Sequence, residues 1–154
     1  QRDSKESGVH IKEDAMIPVI AVDDRNGMMF HNRRQSRDRL LKEKILAMAK
    51  GRTLWMNAYS YSQFEGHGAE KIRVAEDFLE RAGEGDYCFV EDRPLEPFLH
   101  KITEIVACRW NRKYPGDVFL DVDLEDGTWK RTAAEEIAGS SHERITIERY
   151  RHEA

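Results

Sequence analysis

A continuous apolar run near the start of the chain, IPVIAV over residues 17–22, constrains the fold more than any other segment. It is short and rich in β-branched residues, a pattern typical of a strand that is buried on both faces of its sheet. The turn signal Asn26-Gly27 follows it. The run therefore predicts a central strand in a sheet that is covered on both sides.

Strand and helix patterns alternate over the first two thirds of the chain. Residues 36–50 predict a helix with Leu41, Ile45 and Met48 on one face and Gly51 at its end. Further strands are predicted at 53–57, 72–74, 87–90 and 102–110, and shorter helices at 58–64, 76–83 and 92–100. The segments VFLDVD (118–123) and RITIERY (144–150) are expected to close the sheet. We expect an α/β fold with a mixed, mostly parallel sheet, flanking helices and an antiparallel C-terminal edge.

Length and composition limit the class of protein. A chain of 154 residues with 40% hydrophobic residues predicts one folded domain, here 16–154, preceded over 1–15 by a polar, disordered tail or an expression remnant. The net charge of −4 argues against a globally basic nucleic-acid-binding or membrane-surface protein. No apolar run approaches the roughly 18 residues of a membrane span. Cys88 and Cys108 lie in apolar segments and predict buried, reduced thiols, so we expect a cytoplasmic protein with no membrane partner.

Few residues form a recognisable chemical motif. The chain has no Gly-x-Ser-x-Gly elbow, Walker loop or Gly-x-Gly-x-x-Gly after a strand, and its six histidines lack metal-ligand spacing, so no metal is predicted. The basic stripe from Arg33 to Lys44, with Arg33, Arg34 and Arg37 foremost, could contact nucleic-acid phosphates or form a solvated helix face. Asp38 could act in catalysis or favour the helix dipole.

Read in order, several segments together resemble the dihydrofolate reductase family. VIAVDDRNGMM is similar to that family's first strand and following loop, and LWMNAYSYSQF stands where the family has its phosphate-binding strand, turn and helix. CFVEDRPLEPFLHKITEIVACRW and the closing SSHERITIERY continue the match. The resemblance spans 16–151 and implies a shortened, divergent dihydrofolate reductase-like three-layer sandwich. The shortening falls in the loop before Asp38 and between Phe64 and Ile72.

On the cofactor side, the resemblance implies a degenerate NADPH site. Val90 and Glu91 stand at the family's glycine pair, where side chains would obstruct the approach of a dinucleotide. Asn57 and Ala58 replace the glycine and arginine of the phosphate-binding turn, and Ser60 alone keeps a hydroxyl there. We therefore expect no cofactor.

On the substrate side, the resemblance assigns Asp38 to the pterin-binding acid. The remaining pocket residues that it implies are Val19, Ala21, Leu41, Phe89 and Cys108. Our leading expectation is a binding module for a pterin-like or nucleotide-like ligand or a protein partner. One alternative is an NAD(P)H-dependent reductase with an altered cofactor mode and Asp38 as the catalytic acid. A second alternative is a nucleic-acid-binding protein that uses Arg33, Arg34 and Arg37. The oligomeric state stays open.

Overall fold

The central strand organises a sheet of seven strands. The computed structural model describes residues 15–65 and 72–153, so nearly all of the predicted tail at 1–15 lies outside the described residues. Strand β1 (Ile17–Val22) lies between two parallel neighbours, β6 (Tyr87–Phe89) and β7 (Glu104–Arg109). Val19 and Ile20, which point to opposite faces, are both fully buried. The prediction of a central strand covered on both sides is confirmed.

The remaining strands extend this sheet in both directions. On one side, β4 (Leu54–Met56) and then β5 (Ile72–Val74) continue the parallel arrangement. On the other side, β10 (Ile145–His152) runs antiparallel to β7, and β9 (Trp129–Ile137) forms the outer edge. A separate antiparallel sheet is formed by β2 (Gly27–Phe30), β3 (Arg33–Arg34) and β8 (Val118–Phe119). The expected mixed, mostly parallel sheet with an antiparallel C-terminal edge is thus present.

Helices and two hydrophobic cores complete the sandwich. The helices are α1 (Arg39–Met48), α2 (Ala58–Tyr61), α3 (Phe78–Arg81) and a 3-10 helix over Glu96–Lys101. Leu41 and Ile45 of α1 pack on one face of the sheet, and Phe78 and Leu79 of α3 pack on the other. Cys88 and Cys108 are free and buried, one in each core, which confirms the predicted unpaired thiols.

Several predicted elements differ from the structure. The segment at 118–123 contributes only β8 to the small sheet, and the partner of β10 is instead β9, which we did not predict. Seven consecutive β9 residues, 130–136, are exposed, so the strand carries no apolar alternation. The helix predicted at 92–100 is the 3-10 helix at Glu96–Lys101. Among the described residues α1, with ten residues, is the longest helix, and none is long and apolar enough to cross a membrane.

Candidate functional site

Asp38 begins helix α1. It is the N-cap residue, with extended backbone, and lies just before the first turn rather than within it. Its Oδ1 accepts hydrogen bonds from the backbone N–H groups of Leu40 at 3.0 Å and Leu41 at 3.1 Å. These donors have no partner inside the helix, which is why Asp is favoured at this position.

The same carboxylate also holds the loop that joins β9 to β10. The backbone N–H of Ser140 donates to Oδ1 at 2.9 Å, and that of Ser141 donates to Oδ2 at 2.8 Å. Both serine hydroxyls lie within 3.2 Å of these oxygens, and the imidazole Nδ1 of His142 lies 3.1 Å from Oδ2. Both oxygens of Asp38 are therefore fully engaged by the chain itself.

These donors keep Asp38 ionised although it is buried. Burial alone would raise the pKa of this carboxyl, but the N–H groups of Ser140 and Ser141 outweigh it. The His142 ring and the Leu41 N–H act in the same direction, and together they hold the pKa of Asp38 well below its usual range. The ring nitrogen facing the ionised carboxylate must carry a proton, which makes Nε2 of a neutral His142 an acceptor.

His142 extends the network to two hydroxyl groups. Its Nε2 lies 3.1 Å from the Oγ of Ser36 and 3.0 Å from the hydroxyl oxygen of Tyr114. Its ring is stacked on Trp110, with 4.5 Å between ring centroids. A carboxylate, an imidazole and a hydroxyl in this order have the chemistry of a serine hydrolase triad.

The space beside this triad-like arrangement is too small for a substrate. The cavity measures about 20 Å³, which is room for about one water molecule. Of the residues that the resemblance assigns to a ligand pocket, Ala21, Asp38, Leu41 and Phe89 line this cavity. Val19 and Cys108 lie in the α1-side core, where burial raises the pKa of the Cys108 thiol to about 12. The arrangement therefore fixes loops in place more readily than it activates a nucleophile.

A second buried carboxylate, Glu91, lies where β6 ends. Arg34 Nε donates to its Oε2 at 2.8 Å, and Arg34 Nη2 donates to Oε1 at 3.2 Å, a bidentate pair. The hydroxyl of Ser60 donates to Oε1 at 2.7 Å, and the amide of Gln63 donates to Oε2 at 3.1 Å. The Arg34 guanidinium also lies over the Tyr59 ring, 4.3 Å from its centroid. We call Glu91, Arg34, Ser60 and Gln63 the Glu91 cluster.

The other positions of the expected cofactor site serve the fold. Asn57 is the N-cap of α2 and donates to the Asp92 carboxylate at 3.2 Å. The Ala58 N–H donates to Glu76 at 3.1 Å. Val90 is fully buried in the core on the α3 side of the sheet. Ser60, which alone keeps the hydroxyl of the family's phosphate-binding turn, donates to Glu91 and is part of the Glu91 cluster.

The basic stripe is divided among several partners. Arg33 and Arg37 are exposed, whereas the Arg34 side chain is directed into the Glu91 cluster. Lys42 donates to the backbone carbonyl of Gln63, and Lys44 forms an ion pair with Glu135. These contacts reduce the positive field that a phosphate backbone would encounter.

A larger depression lies on the surface beyond Trp110. It measures about 630 Å³ and lies where β7 and β9 end and β10 begins. We call it the Trp110 cleft; it is lined by Trp110, Asn111, Arg112, Glu136, Ile137, Ala138, Glu143 and Arg144. In open α/β sheets, ligands commonly bind at the carboxyl ends of strands, which is where this cleft is found.

Sequence reasoning identified Asp38 and Glu91 but missed their partners. An Asp just before an amphipathic helix is itself a capping signal, but the helix was predicted to begin at residue 36, which placed Asp38 inside its first turn. Nothing in the sequence links Ser140, Ser141 or His142 to a helix that begins about a hundred residues earlier. Only the pairing of β10 beside β7 brings them together.

Comparison with protein-family models finds no match, and comparison with curated proteins also finds none. Among solved structures, the chain is similar to a dihydrofolate reductase from Enterococcus faecalis, complexed with NADP(H) and RAB-propyl, with a TM-score of 0.62. The sequence identity is 11%, and the match covers 91% of this chain and 97% of the reductase. Likeness at this identity establishes architecture and leaves function open. The chain has the α/β fold of dihydrofolate reductase.

Proposed function

We propose that the chain is a binding module with a degenerate NADPH site, and that its ligand is a protein partner. The observation that carries this proposal is the filled space beside Asp38. A cavity of about 20 Å³ has no room for a pterin ring. The carboxylate that would pair with such a ring is already bonded to Ser140, Ser141 and His142.

The residues around Glu91 do not fit a dinucleotide. Binding a pyrophosphate needs free donors and a backbone that the phosphates can approach. Here the end of β6 carries the Glu91 and Asp92 carboxylates, which are paired with Arg34 and Arg93 and so take up cations that a phosphate would need. The Ser60 hydroxyl and the Arg34 guanidinium, which could have served as donors, are bonded to Glu91. This arrangement supports loss of hydride transfer, because that reaction needs the cofactor held against its substrate.

The Trp110 cleft supports a protein ligand. Its lining combines an aromatic side chain with the cations Arg112 and Arg144 and the carboxylates Glu136 and Glu143. An extended peptide that carries both signs of charge suits such a surface, since interfaces combine aromatic anchors with polar rims. We place this binding in the cytoplasm, in keeping with the two reduced thiols.

The absence of reductase function is tested by titration and turnover. We expect no NADPH oxidation with dihydrofolate, and no heat of binding when NADPH or an antifolate is titrated into the protein. Micromolar NADPH binding would contradict the proposal and favour the altered-cofactor reductase. Binding of RNA or single-stranded DNA that weakens with salt and in the Arg33→Ala, Arg37→Ala double variant would favour the nucleic-acid alternative.

The proposed cleft is tested by site-specific photo-crosslinking in the native host. A crosslinking residue at Arg112 should capture a defined protein band. The same residue at Glu84, which is exposed and precedes β6 at the opposite end of the sheet, is the matched control. Equal capture at both positions, or capture at neither, would contradict a partner site in the Trp110 cleft.

A further inference from the structure

Strand β9 presents a long, open sheet edge. It has nine residues, and within the described part of the chain no strand pairs with its outer side. Its residues from 130 to 136 are all exposed. Monomeric proteins shorten or cover such edges, or protect them with charged side chains and β-bulges, because the free backbone groups pair readily with another strand. Strand β9 is long and uncovered but charged, so the pattern of its charges decides which strand can pair with it.

Charge is distributed unevenly along β9. Lys130 and Arg131 lie near its start, whereas Glu135 and Glu136 lie near its end. The three residues between them, Thr132, Ala133 and Ala134, are small and uncharged. The strand edge is thus positive at one end and negative at the other, with a centre that another backbone could approach closely.

This polarity is repeated on both faces of the sheet. On the α1 side, Lys130 is paired with Arg151 and Glu135 with Ile147, and these two β10 residues share a face. On the other side, Arg131 is opposite Tyr150 and Glu136 is opposite Thr146. The register shift between Arg149 and Tyr150 leaves Thr132 without a partner on β10, as in a β-bulge. Because of this extra residue, Lys130 shares one face with Glu135, and Arg131 shares the other face with Glu136. Each face carries one cation near the start of the strand and one carboxylate near its end.

We infer that a second copy of this chain pairs with β9 in antiparallel orientation across a two-fold axis. The rotation places the start of one β9 beside the end of the other, so each cation comes near a carboxylate on its own face. When Lys130 lies directly opposite Glu135, Arg131 lies diagonal to Glu136, within reach of long side chains. Parallel pairing would set like charges opposite each other, which is unfavourable. A self-complementary surface of this kind closes as a symmetric dimer. The two seven-stranded sheets become one continuous sheet.

The contacts that these charges already make are compatible with pairing. Glu135 forms an ion pair with Lys44, Arg131 with Glu148 and Glu136 with Arg144. The β9 side chains in these pairs are more than half exposed, at 53%, 57% and 58%, so each pair contributes little alone. A cation or carboxylate from the second copy can join each pair and extend it into a network. The dimer does not depend on the proposed function.

Charge reversal provides a sharp test. Sedimentation equilibrium at low salt should show a dimer, and raising the salt should weaken it. The Glu135→Lys, Glu136→Lys variant and the Lys130→Glu, Arg131→Glu variant should each raise the dimer dissociation constant at least about tenfold. An equimolar mixture of the two variants should dimerise again, because each supplies the charges that the other now needs. Glu84→Lys, an exposed reversal away from β9, should change nothing.

Three results would overturn the inference. One is a monomer at about 100 µM unmodified protein, a concentration that would populate any dimer of micromolar affinity. The others are a dimer that neither variant weakens and two variants that stay monomeric when mixed. Circular dichroism of each variant distinguishes a lost interface from a lost fold, and recovery of the dimer in the mixture makes that distinction independently.

Discussion

A single carboxylate ties together parts of the chain that are far apart in sequence. Asp38 accepts hydrogen bonds from the first turn of α1 and from Ser140, which is 102 residues away. A buried ion that satisfies several N–H donors is costly to remove, because each donor is left without a partner. Asp38 therefore acts as a structural link between α1 and the loop that joins β9 to β10.

Replacing this carboxylate should weaken the fold. Asp38→Asn puts an amide NH₂ where one oxygen now faces N–H donors, so we expect the free energy of unfolding to fall by about 2 to 3 kcal/mol. Urea denaturation followed by circular dichroism measures this change. Asp77→Asn is the matched control, since Asp77 precedes α3 without a side-chain cap. An equal loss of unfolding free energy in both variants would mean that the contacts of Asp38 with Ser140, Ser141 and His142 contribute nothing to stability.

The same group should make stability depend on pH. The pKa of Asp38 is lower in the folded protein than in the unfolded chain, so its contribution is complete above the unfolded value of about 3.9. The contribution is lost as the pH falls toward the folded value. The free energy of unfolding should decrease from pH 5 to pH 3, and less steeply for Asp38→Asn. Identical slopes for the two proteins would assign the dependence to other carboxyls, such as Glu148, whose pKa is also lowered.

At the scale of elements, the loop between β9 and β10 is fitted closely around α1. A Cβ atom added to Gly139 would lie 2.5 Å from Asp38 Oδ2 and 2.8 Å from the His142 carbonyl oxygen. Both distances are much shorter than a normal van der Waals contact, and the second is to a backbone atom. The glycine is therefore required by space at this position.

Gly139→Ala should accordingly destabilise the protein by about 1 to 3 kcal/mol, the usual effect of overpacking. Amide hydrogen exchange should also become faster at Ser140 and Ser141, whose N–H groups donate to Asp38. Gly83→Ala is the control, because its added Cβ would meet only the Asp86 carboxylate at 4.0 Å. Unchanged exchange in Gly139→Ala would show that the loop adapts without releasing the carboxylate.

Elements with strong periodicity were predictable from the sequence, and the others were not. β1 and α1 each carry a pattern that burial imposes, continuous for the strand and one-sided for the helix. β9 carries none, because only its ends, Trp129 and Ile137, are even partly buried. Its existence is decided by β10, which offers it a free edge, and such long-range pairing leaves no local signal.

The residues of the candidate site were likewise only partly predictable from the sequence. Asp38 and Glu91 could be singled out because each stands at an element boundary where the resemblance assigns a role. Their surroundings could not, because Arg34 reaches Glu91 from a short strand 57 positions earlier. What a carboxylate does depends on which donors the fold brings to it, and that information is tertiary.

At the scale of the molecule, one sheet separates two cores that can be followed independently. Cys88 lies in the core under α3, and Cys108 lies in the core under α1. Burial raises the pKa of both thiols, so neither forms a reactive thiolate in the folded state. Each cysteine therefore reports when its own side of the sheet opens.

Thiol labelling should show both cores opening together. In the Cys88→Ser and Cys108→Ser variants, the remaining thiol should react with an aromatic disulfide reagent only as the protein unfolds. Because the same seven-stranded sheet forms one wall of each core, we expect the two labelling midpoints in urea to coincide within about 0.3 M. A midpoint for one thiol well below the other would show that the layers unfold separately.

The position of β10 also affects the order in which the fold can be completed during synthesis. β9 leaves the ribosome before β10, but it joins the sheet only through β10, which lies between it and β7. Until residues 145–152 have emerged, β9 has no place in the sheet and Asp38 lacks Ser140, Ser141 and His142. The nascent protein therefore carries an unfinished sheet edge along β7 and an Asp38 carboxylate that is held by the first turn of α1 without the 140–142 loop, a state that chaperones are suited to protect.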